Sequence, residues 1–402
     1  MEQRLINSMF RLLGGKKYGI IAVPGDPFVR PARARLIWAN NTAQAVQNLG
    51  LEALLAADVQ SVPVKFESLQ GLSSIRRMVT ETYNVPATYD MRGIYDMPSK
   101  IAKLSPGQWA LDYDIPRSVF PYCGLLHTRH PVVLSRALKA GIPCVYEDHD
   151  EDHNNAFKKL PELVRAHQNL RVIVAITEAV RERLIKIGIP KDRTIVLDSG
   201  VNSQSLVRYK GEATQIRKSL LERGFDHIVV YSGGLQIERG IRHLLNAAVA
   251  LPKSLFVLFG GNSGDQSLWR SAVVDCALPN VVVPGYVPQR HLLPFQQAAD
   301  VLVMTREHDE RAAITSPLKF FEYLAAGSPI VAASLPAVER YGNANLAAAF
   351  YNPANPETLP AILSAVMADF PWRPDGYAHN ISLAHEFTWE QRQIALFRQL
   401  VS

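Results

Sequence analysis

The segment from Ser316 to Gly327 has the residue types of a short helix that could bind a phosphate group at its start. Ser316 can cap the helix with Pro317 at its first position, and Gly327 can end it. The free amides and the helix dipole attract a phosphate, while Glu322, about two turns in, can accept hydrogen bonds from ribose hydroxyls. The sequence therefore predicts a nucleotide site whose binding residues are Thr315, Ser316, Pro317, Leu318 and Glu322.

A second candidate phosphate site begins where an apolar run ends in the paired glycines Gly233 and Gly234. Small residues let the backbone approach a diphosphate, and Arg239, at the start of the next predicted helix, can pair with its charge. Paired glycines after a strand are also common in simple tight turns. This segment alone does not distinguish the two interpretations.

Carboxylates and histidines concentrate between Glu147 and His153, after another apolar run. We favour a role in a catalytic cleft for His149. For His127 and His130 a place in that cleft and a purely hydrogen-bonded role are both open, because strand-end histidines are often only hydrogen-bonded. A rival interpretation is a metal cluster, because zinc and manganese accept histidine and carboxylate ligands. The ligands of that cluster would be His127, His130, His149, Asp150 and His153.

Apolar runs and amphipathic segments of helix length alternate through most of the chain and would position these residues. Such alternation is typical of parallel sheets covered by helices, so the predicted fold class is α/β. The strands predicted in the first half are Tyr18–Pro24, Leu51–Ala56, Tyr122–Leu126, Pro143–Tyr146, Val172–Ile176 and Thr194–Leu197. Those predicted in the second half are His227–Tyr231, Leu255–Phe259, Val281–Val283, Val301–Met304, Ile330–Ala332 and Ala348–Phe350. The pattern between Pro63 and Pro121 assigns no element.

The chain has 402 residues, more than one hydrophobic core usually supports, so we expect two domains. The turn-rich segment Asp198 to Asn202 marks a hinge between them. We place the domains at residues 1–203 and 204–380. A closing amphipathic helix follows within residues 381–402.

Composition indicates an ordinary globular protein with a net charge of +6, most of it near the N-terminus. The basic N-terminal helix could touch an anionic membrane surface, although we favour a helix docked on the protein. Three widely spaced cysteines fit a reducing compartment, and no segment is typical of a secretory signal or a membrane span, so we expect a cytoplasmic protein. The charge lacks the aromatic interleaving typical of nucleic-acid binding.

The segment S-P-L-K-F-F-E-Y-L-A-A-G-S-P-I-V-A resembles the donor-binding motif of GT-B glycosyltransferases, especially retaining glycosyltransferase family 4 (group 1). Y-S-G-G-L, V-V-V-P-G-Y-V-P and F-T-W-E-Q-R resemble the glycine loop, the base-contacting loop and the C-terminal return helix of that family, in the same order. The resemblance implies two Rossmann-like domains facing across a cleft. The first would be the acceptor side and the second would bind the nucleotide sugar, with the last helix returning toward the first.

The resemblance also implies roles for individual residues. His149 would face the donor sugar, while Arg239 and Lys319 would stabilise the departing diphosphate. Further donor contacts would come from Gly25, Gly233, Gly234, Tyr286 and Val287. The implied reaction transfers a sugar from a nucleoside diphosphate donor, UDP or GDP, to a hydroxyl acceptor with retention and without a required cofactor or metal.

Two departures from the family pattern affect the sugar end of the donor. The family commonly has a glutamate eight residues before Glu322, where this chain has Ile314, so backbone amides near Ser316 or the side chain of Glu310 would have to replace it. Gly234 and Arg239 replace an arginine and a lysine of the phosphate loop. A sugar-nucleotide epimerase or phosphorylase and a non-catalytic binding protein therefore remain alternatives.

A further rival takes Asp148 and Asp150 as the Asp-x-Asp metal pair of single-lobed GT-A transferases. Such an enzyme has no need of a second Rossmann-like domain with a nucleotide-binding helix. The second half of the chain therefore disfavours that rival.

Overall fold

The computed structural model describes residues 2–31, 33–60, 66–97, 105, 107–149, 157–307, 314, 317–342 and 344–401. Within them the chain forms two compact units. The first unit comprises Met1–Ser199 and Trp389–Ser402, and the second comprises Gly200–Thr388.

The first unit is built on seven strands flanked by helices. The strands are β1 (Lys17–Ile21), β2 (Ala53–Asp58), β3 (Asp90–Ile94), β4 (Cys123–Thr128), β5 (Cys144–Asp148), β6 (Leu170–Ala175) and β7 (Thr194–Val196). The helices are α1 (Glu2–Leu13), α2 (Ala34–Asn48), α3 (Leu69–Tyr83), a π-helical turn (Ala110–Asp114) leading into α4 (Ile115–Ser118), α5 (Pro131–Lys139), α6 (Leu160–Ala166) and α7 (Glu178–Lys186). The final helix of the chain also belongs to this unit.

The second unit contains six strands and eight α-helices within the described residues. The strands are β8 (His227–Gly233), β9 (Ser254–Gly260), β10 (Val281–Gly285), β11 (Val301–Met304), β12 (Ile330–Ala333) and β13 (Ala348–Tyr351). The helices are α8 (Lys210–Leu221), α9 (Ile241–Ala250), α10 (Ser263–Asp275), α11 (Gln289–Ala298), α12 (Leu318–Ala326), α13 (Pro336–Glu339), α14 (Leu359–Asp369) and α15 (Ala378–Glu386). The helix that follows, α16 (Trp389–Val401), is the last helix of the first unit.

Both sheets have the same topology. The strand orders are β3-β2-β1-β4-β5-β6-β7 and β10-β9-β8-β11-β12-β13, and the paired strands are parallel. In each unit the order reverses beside the first strand, between β1 and β4 or between β8 and β11. The loops that follow strands at such a switch point leave a crevice in which doubly wound proteins bind ligands.

Apolar strands and local capping explain why these elements form. The central strands are buried on both faces, which requires continuous apolar runs. Helix α10 begins with a capping box, in which Asn262 and Asp265 accept hydrogen bonds from each other's backbone amides. Helix α12 ends at Gly327, whose φ of 72° is left-handed, as the sequence predicts.

The predicted strands are all present, and Val301–Met304 has the predicted bounds. One strand was missed: β3, Asp90–Ile94, lies in the stretch to which the pattern assigned no element. It forms an edge of the first sheet, and its first residue is exposed. An edge strand needs no continuous apolar run, so its sequence carries little signal.

Helices α1 and α16, from the two ends of the chain, pack together in the first unit. Ile6, Met9 and Leu13 of α1 are buried and share a core with Phe397 of α16. The apolar face of α1 is therefore covered by protein, as expected of a docked helix. Among helices of the described residues, none has the length and apolar character that crossing a bilayer requires.

Candidate functional site

Lys319, in the first turn of α12, lies at the carboxyl end of β8 beside the switch point of the second sheet. Its Nζ donates a hydrogen bond to Tyr231 Oη at 2.7 Å, and that hydroxyl donates to the carbonyl of Gly234 at 2.6 Å. Gly233 has a φ of 149°, and a Cβ there would overlap the end of the Lys319 side chain. A glycine is therefore needed for Lys319 to reach this position.

The position of α12 is fixed by a second tyrosine, Tyr323. The backbone amide of Ser232 donates to Tyr323 Oη at 2.9 Å, and Gln296 donates to Ser232 Oγ at 3.0 Å. Tyr323 and Ser232 are buried, so these hydrogen bonds join the helix to the strand away from water. The helix therefore holds Lys319 and Glu322 against a rigid support.

Three cations surround one carboxylate at this site. Burial lowers the pKa of Lys319 to about 7, helped by the charges of Arg239 and Arg306 and opposed by Glu322. Burial likewise raises the pKa of Glu322 to about 7, against the charge of Lys319. Three basic side chains thus act on one another and on a single carboxylate, an arrangement that suits an anionic ligand.

Arg306 is a member of this cluster that sequence reasoning missed. It follows β11, the neighbour of β8, and it is buried. The loop that carries it is tied to the Arg239 loop, because Thr305 Oγ1 donates to the Arg239 carbonyl at 2.8 Å and the amide of Glu307 donates to the Glu238 carbonyl at 3.0 Å. A basic residue directly after a strand at the switch point was the signal that could have found it.

The start of α12 differs slightly from the prediction. The helix begins at Leu318 with Pro317 at its N-cap, one residue later than predicted, and Glu322 lies in its second turn. A proline nitrogen carries no hydrogen, so it costs nothing at the end of a helix. Thr315, Ser316 and Glu310 lie outside the described residues, so their predicted contacts with the donor stay predictions.

Three other predicted donor contacts follow the carboxyl ends of other strands. Tyr286 and Val287 follow the edge strand β10, two strands from β8. Gly25 follows β1 in the first unit and is exposed. A Cβ on Gly25 would meet no atom within 4 Å, so the protein itself does not require glycine there.

His149 lies just after β5, in a hydrogen-bonded network centred on Glu147. Its Nε2 is 2.6 Å from Glu147 Oε1, and Nε2 of His127 is 3.0 Å from Oε2 of the same carboxylate. Tyr18 Oη is 2.9 Å from Nδ1 of His127. Arg392 of α16 also donates to Glu147 Oε1, at 2.7 Å.

The protonation states in this network follow from its charges. Burial alone would raise the pKa of Glu147, but the charge of Arg392 and the hydrogen bonds from both histidines hold that pKa well below its usual range. Burial lowers the pKa of His127, and this outweighs the opposing effect of Glu147. Glu147 is therefore ionised and accepts only, while neutral His127 donates from Nε2 and accepts from Tyr18 through Nδ1.

Trp38 of α2 forms an aromatic wall beside the two histidines. Its ring lies edge-on to His127, with centroids 5.1 Å apart, and to His149, at 6.3 Å. The guanidinium of Arg129 lies 5.5 Å from the centroid of Trp38. This wall was missed because the spacing of Trp38 in the sequence gives no sign that it meets β4 and β5.

Two further residues of the rival interpretations, His130 and Asp148, have structural partners. His130 caps α5 by accepting a hydrogen bond from the amide of Val133. Asp148 pairs with Arg183 at 2.8 Å. Within the part of the chain that the structure describes, no group of three or more His, Cys, Asp or Glu side chains could hold a metal ion, and Asp150 and His153 lie outside that part.

Two known families match the chain in the regions that form these sites. Residues 226–369 match the family described as Glycosyl transferases group 1, and residues 121–205 match Glycosyltransferase Family 4. The second unit therefore contains a group 1 glycosyltransferase domain, and the first unit contains a Family 4 glycosyltransferase domain. The first match contains Arg239, Arg306 and Lys319, and the second contains Glu147 and His149.

One curated relative of this chain is the putative teichuronic acid biosynthesis glycosyltransferase TuaH of Bacillus subtilis (strain 168). It is 26% identical over 125 residues, which is 31% of this chain and 30% of the relative. The alignment thus spans less than a third of either protein.

Solved glycosyltransferase structures share the fold over nearly the whole chain. Anabaena Alr3699/HepE in complex with UDP-glucose is 15% identical with a TM-score of 0.68, covering 95% of this chain and 98% of that one. A glycosyltransferase from Rickettsia africae is 13% identical with a TM-score of 0.69, covering 96% and 99%. The chain therefore has the GT-B fold.

Proposed function

We propose that the protein transfers a sugar from a nucleoside diphosphate sugar to a hydroxyl acceptor, with retention at the anomeric carbon. The observation that carries this proposal is the cluster of Lys319, Arg239 and Arg306 beside Glu322 at the switch point of the second sheet. Its charge suits a diphosphate, and Glu322 is a hydrogen-bond acceptor for ribose hydroxyls. UDP is the nucleotide that we favour for the donor, because the Anabaena relative forms complexes with UDP and UDP-glucose.

In the proposed reaction the bond between the anomeric carbon and the diphosphate oxygen breaks, and a bond to the acceptor oxygen forms. Negative charge develops on the departing diphosphate, where Lys319, Arg239 and Arg306 stabilise it. That diphosphate accepts the proton of the acceptor hydroxyl, so the protein need supply no nucleophile. His149 orients the donor sugar or its 6-hydroxyl, and neither a cofactor nor a metal ion is required.

The two units have different proposed roles. The donor binds through residues 204–380, while residues 1–203 supply the acceptor side and the segment 381–402 completes it. Because the Bacillus relative is named for teichuronic acid biosynthesis, we favour a glycan or lipid-linked glycan as acceptor. The sugar end of the donor is held without a glutamate at position 314, where this chain has Ile314.

A ligand screen followed by product analysis tests the proposal. Thermal shifts with UDP, GDP and ADP identify the base, since a ligand at about 100 times its dissociation constant adds roughly 2.7 kcal/mol to stability. Incubation with labelled sugars of that nucleotide should then give a glycosylated acceptor with the donor's anomeric configuration. Isomerised donor would instead show an epimerase, release of sugar phosphate a phosphorylase, and binding without turnover a non-catalytic protein.

A further inference from the structure

Arg392 lies on α16, which belongs to the first unit. In the sequence it is far from Glu147, whose carboxylate it contacts. Its side chain is buried; Nη2 donates to Glu147 Oε1 at 2.7 Å, and Nε donates to the backbone carbonyl of Asp198 at 2.7 Å. The ring of Trp389, one turn earlier on the helix, lies 5.4 Å from the guanidinium carbon. The guanidinium of Arg392 is therefore held through Nε and Nη2 and lies against an aromatic ring.

Glu147 connects this fixed arginine to His149. An ionised carboxylate can only accept, so its 2.6 Å contact with His149 Nε2 requires a hydrogen on that nitrogen. The second carboxylate oxygen is occupied by His127, which is held in turn by Tyr18. The carboxylate therefore cannot rotate without breaking several hydrogen bonds, and it fixes both the tautomer and the ring orientation of His149.

We propose that Glu147 and Arg392 are positioning residues for His149, so that the last helix of the chain sets the geometry of the histidine that faces the donor sugar. This inference rests on the proposed function for the role of His149. Orientation of an imidazole by a hydrogen-bonded carboxylate is a general device in histidine sites, and its loss lowers activity without removing the histidine itself.

The neighbouring pair of Asp148 and Arg183 provides a matched control. Asp148 is adjacent to Glu147 on β5 and equally buried, and its carboxylate lies 2.8 Å from an arginine. Successive side chains of a strand point to opposite faces, so Asp148 faces away from the Glu147 network. Breaking this pair disturbs a buried ion pair on the same strand and leaves the contacts among Glu147, Arg392 and His149 in place.

The test measures transfer kinetics for Glu147→Gln, Arg392→Lys and Arg183→Met. We expect Glu147→Gln to lower kcat by roughly tenfold to hundredfold. KM for the donor should change by less than about threefold, because Lys319, Arg239 and Arg306 lie in the other unit. Arg392→Lys keeps the charge but cannot bridge to Asp198 as well, so its kcat should lie between those of wild type and Glu147→Gln. Arg183→Met should keep kcat within about twofold of wild type even where its melting temperature falls.

Nitrogen-15 NMR of the histidine side chains supplies a readout that needs no substrate, with His149→Ala to assign the signal. Wild type should show His149 with its hydrogen on Nε2, and Glu147→Gln should shift that population toward Nδ1. If Glu147→Gln unfolds, the double variant Glu147→Gln with Arg392→Met, which removes both buried charges, takes its place in both measurements.

The two measurements separate failure of this inference from failure of the proposed function. An unchanged His149 signal, or equal losses of kcat in Glu147→Gln and Arg183→Met, would overturn the positioning role. A wild-type protein that transfers no sugar overturns the proposed function and with it the catalytic meaning of the network. The NMR result would then still show whether Glu147 orients the ring.

Discussion

The proposed phosphate cluster of the second unit (Lys319, Arg239, Arg306 and Glu322) and the Glu147 network of the first unit have opposite charge balances. Around Lys319 three cations meet one carboxylate, and burial brings the pKa of both Lys319 and Glu322 to about 7. Around Glu147 one carboxylate receives several donors, and its pKa is held well below its usual range. The first arrangement gains most from an added anion, whereas the second is already neutralised and rigid. The proposed binding site and the proposed support for His149 thus differ in charge balance.

The largest expected effect comes from removing the central cation of the phosphate cluster. Lys319→Ala should lower kcat/KM for sugar transfer by about a hundredfold to a thousandfold, because it deletes the buried charge that stabilises the departing diphosphate in the proposed reaction. Lys218→Ala, which removes an exposed lysine of α8, is the control and should be nearly silent. Steady-state kinetics with the donor varied checks both variants, and equal activity of the two would contradict the assignment of the cluster.

A pair of glycine substitutions sharpens the comparison between units. Gly233→Ala should lower stability and nucleotide affinity together, because its Cβ would overlap Lys319 and its φ of 149° disfavours alanine. Gly25→Ala should leave the melting temperature within about 1 °C of wild type, since the added methyl meets no neighbour. If a ligand approaches this loop, transfer should nevertheless fall by roughly tenfold. Thermal melts and initial rates measured in parallel check the pair, and unchanged transfer by Gly25→Ala would remove Gly25 from the site.

The pH dependence of nucleotide binding should be a smaller effect than those of Lys319→Ala and the glycine substitutions. Lys319 has a pKa of about 7 in the free protein, and a bound diphosphate favours its charged form and raises that pKa. Above pH 7, nucleotide binding is therefore coupled to the uptake of a proton by Lys319. The affinity for the nucleotide should fall there by up to about tenfold per pH unit. Well below pH 7 Lys319 is already protonated and adds no pH dependence.

Calorimetry of UDP binding in buffers of different ionisation enthalpy measures this proton uptake directly. Glu322 titrates in the same range, so Lys319→Arg, whose charge is permanent, isolates the contribution of the lysine. That variant should lose the uptake above pH 7. Persistent uptake in Lys319→Arg would assign the proton to another group.

The sequence predicted the second unit better than the first for a physical reason. Central parallel strands such as Val301–Met304 are buried on both faces and therefore stand out as apolar runs. The edge strand Asp90–Ile94 is partly exposed and polar, so no pattern marks it. Fold class followed from the alternation of runs and helices, whereas the exact start of α12 depended on backbone geometry at Pro317.

The residues of the candidate site likewise fall into those that the sequence predicts and those that it does not. Gly233, Arg239 and Lys319 were found because they lie in short contiguous motifs at strand ends. Arg392 and Glu147 were not connected by any sequence signal, because 245 residues separate them and only folding brings them together. Local motifs indicate the groups that we propose to touch a ligand, while the partners proposed to orient such groups depend on tertiary contacts.

The return of α16 to the first unit also sets an order of events during synthesis. Strands β1 to β7 leave the ribosome early, but Trp389–Val401 emerges only after all of Gly200–Thr388 has been made. At about 5–20 residues per second that delay is roughly ten to forty seconds, during which Glu147 lacks its arginine and α1 lacks its partner helix. The half of the protein that is translated first is therefore the half that is completed last.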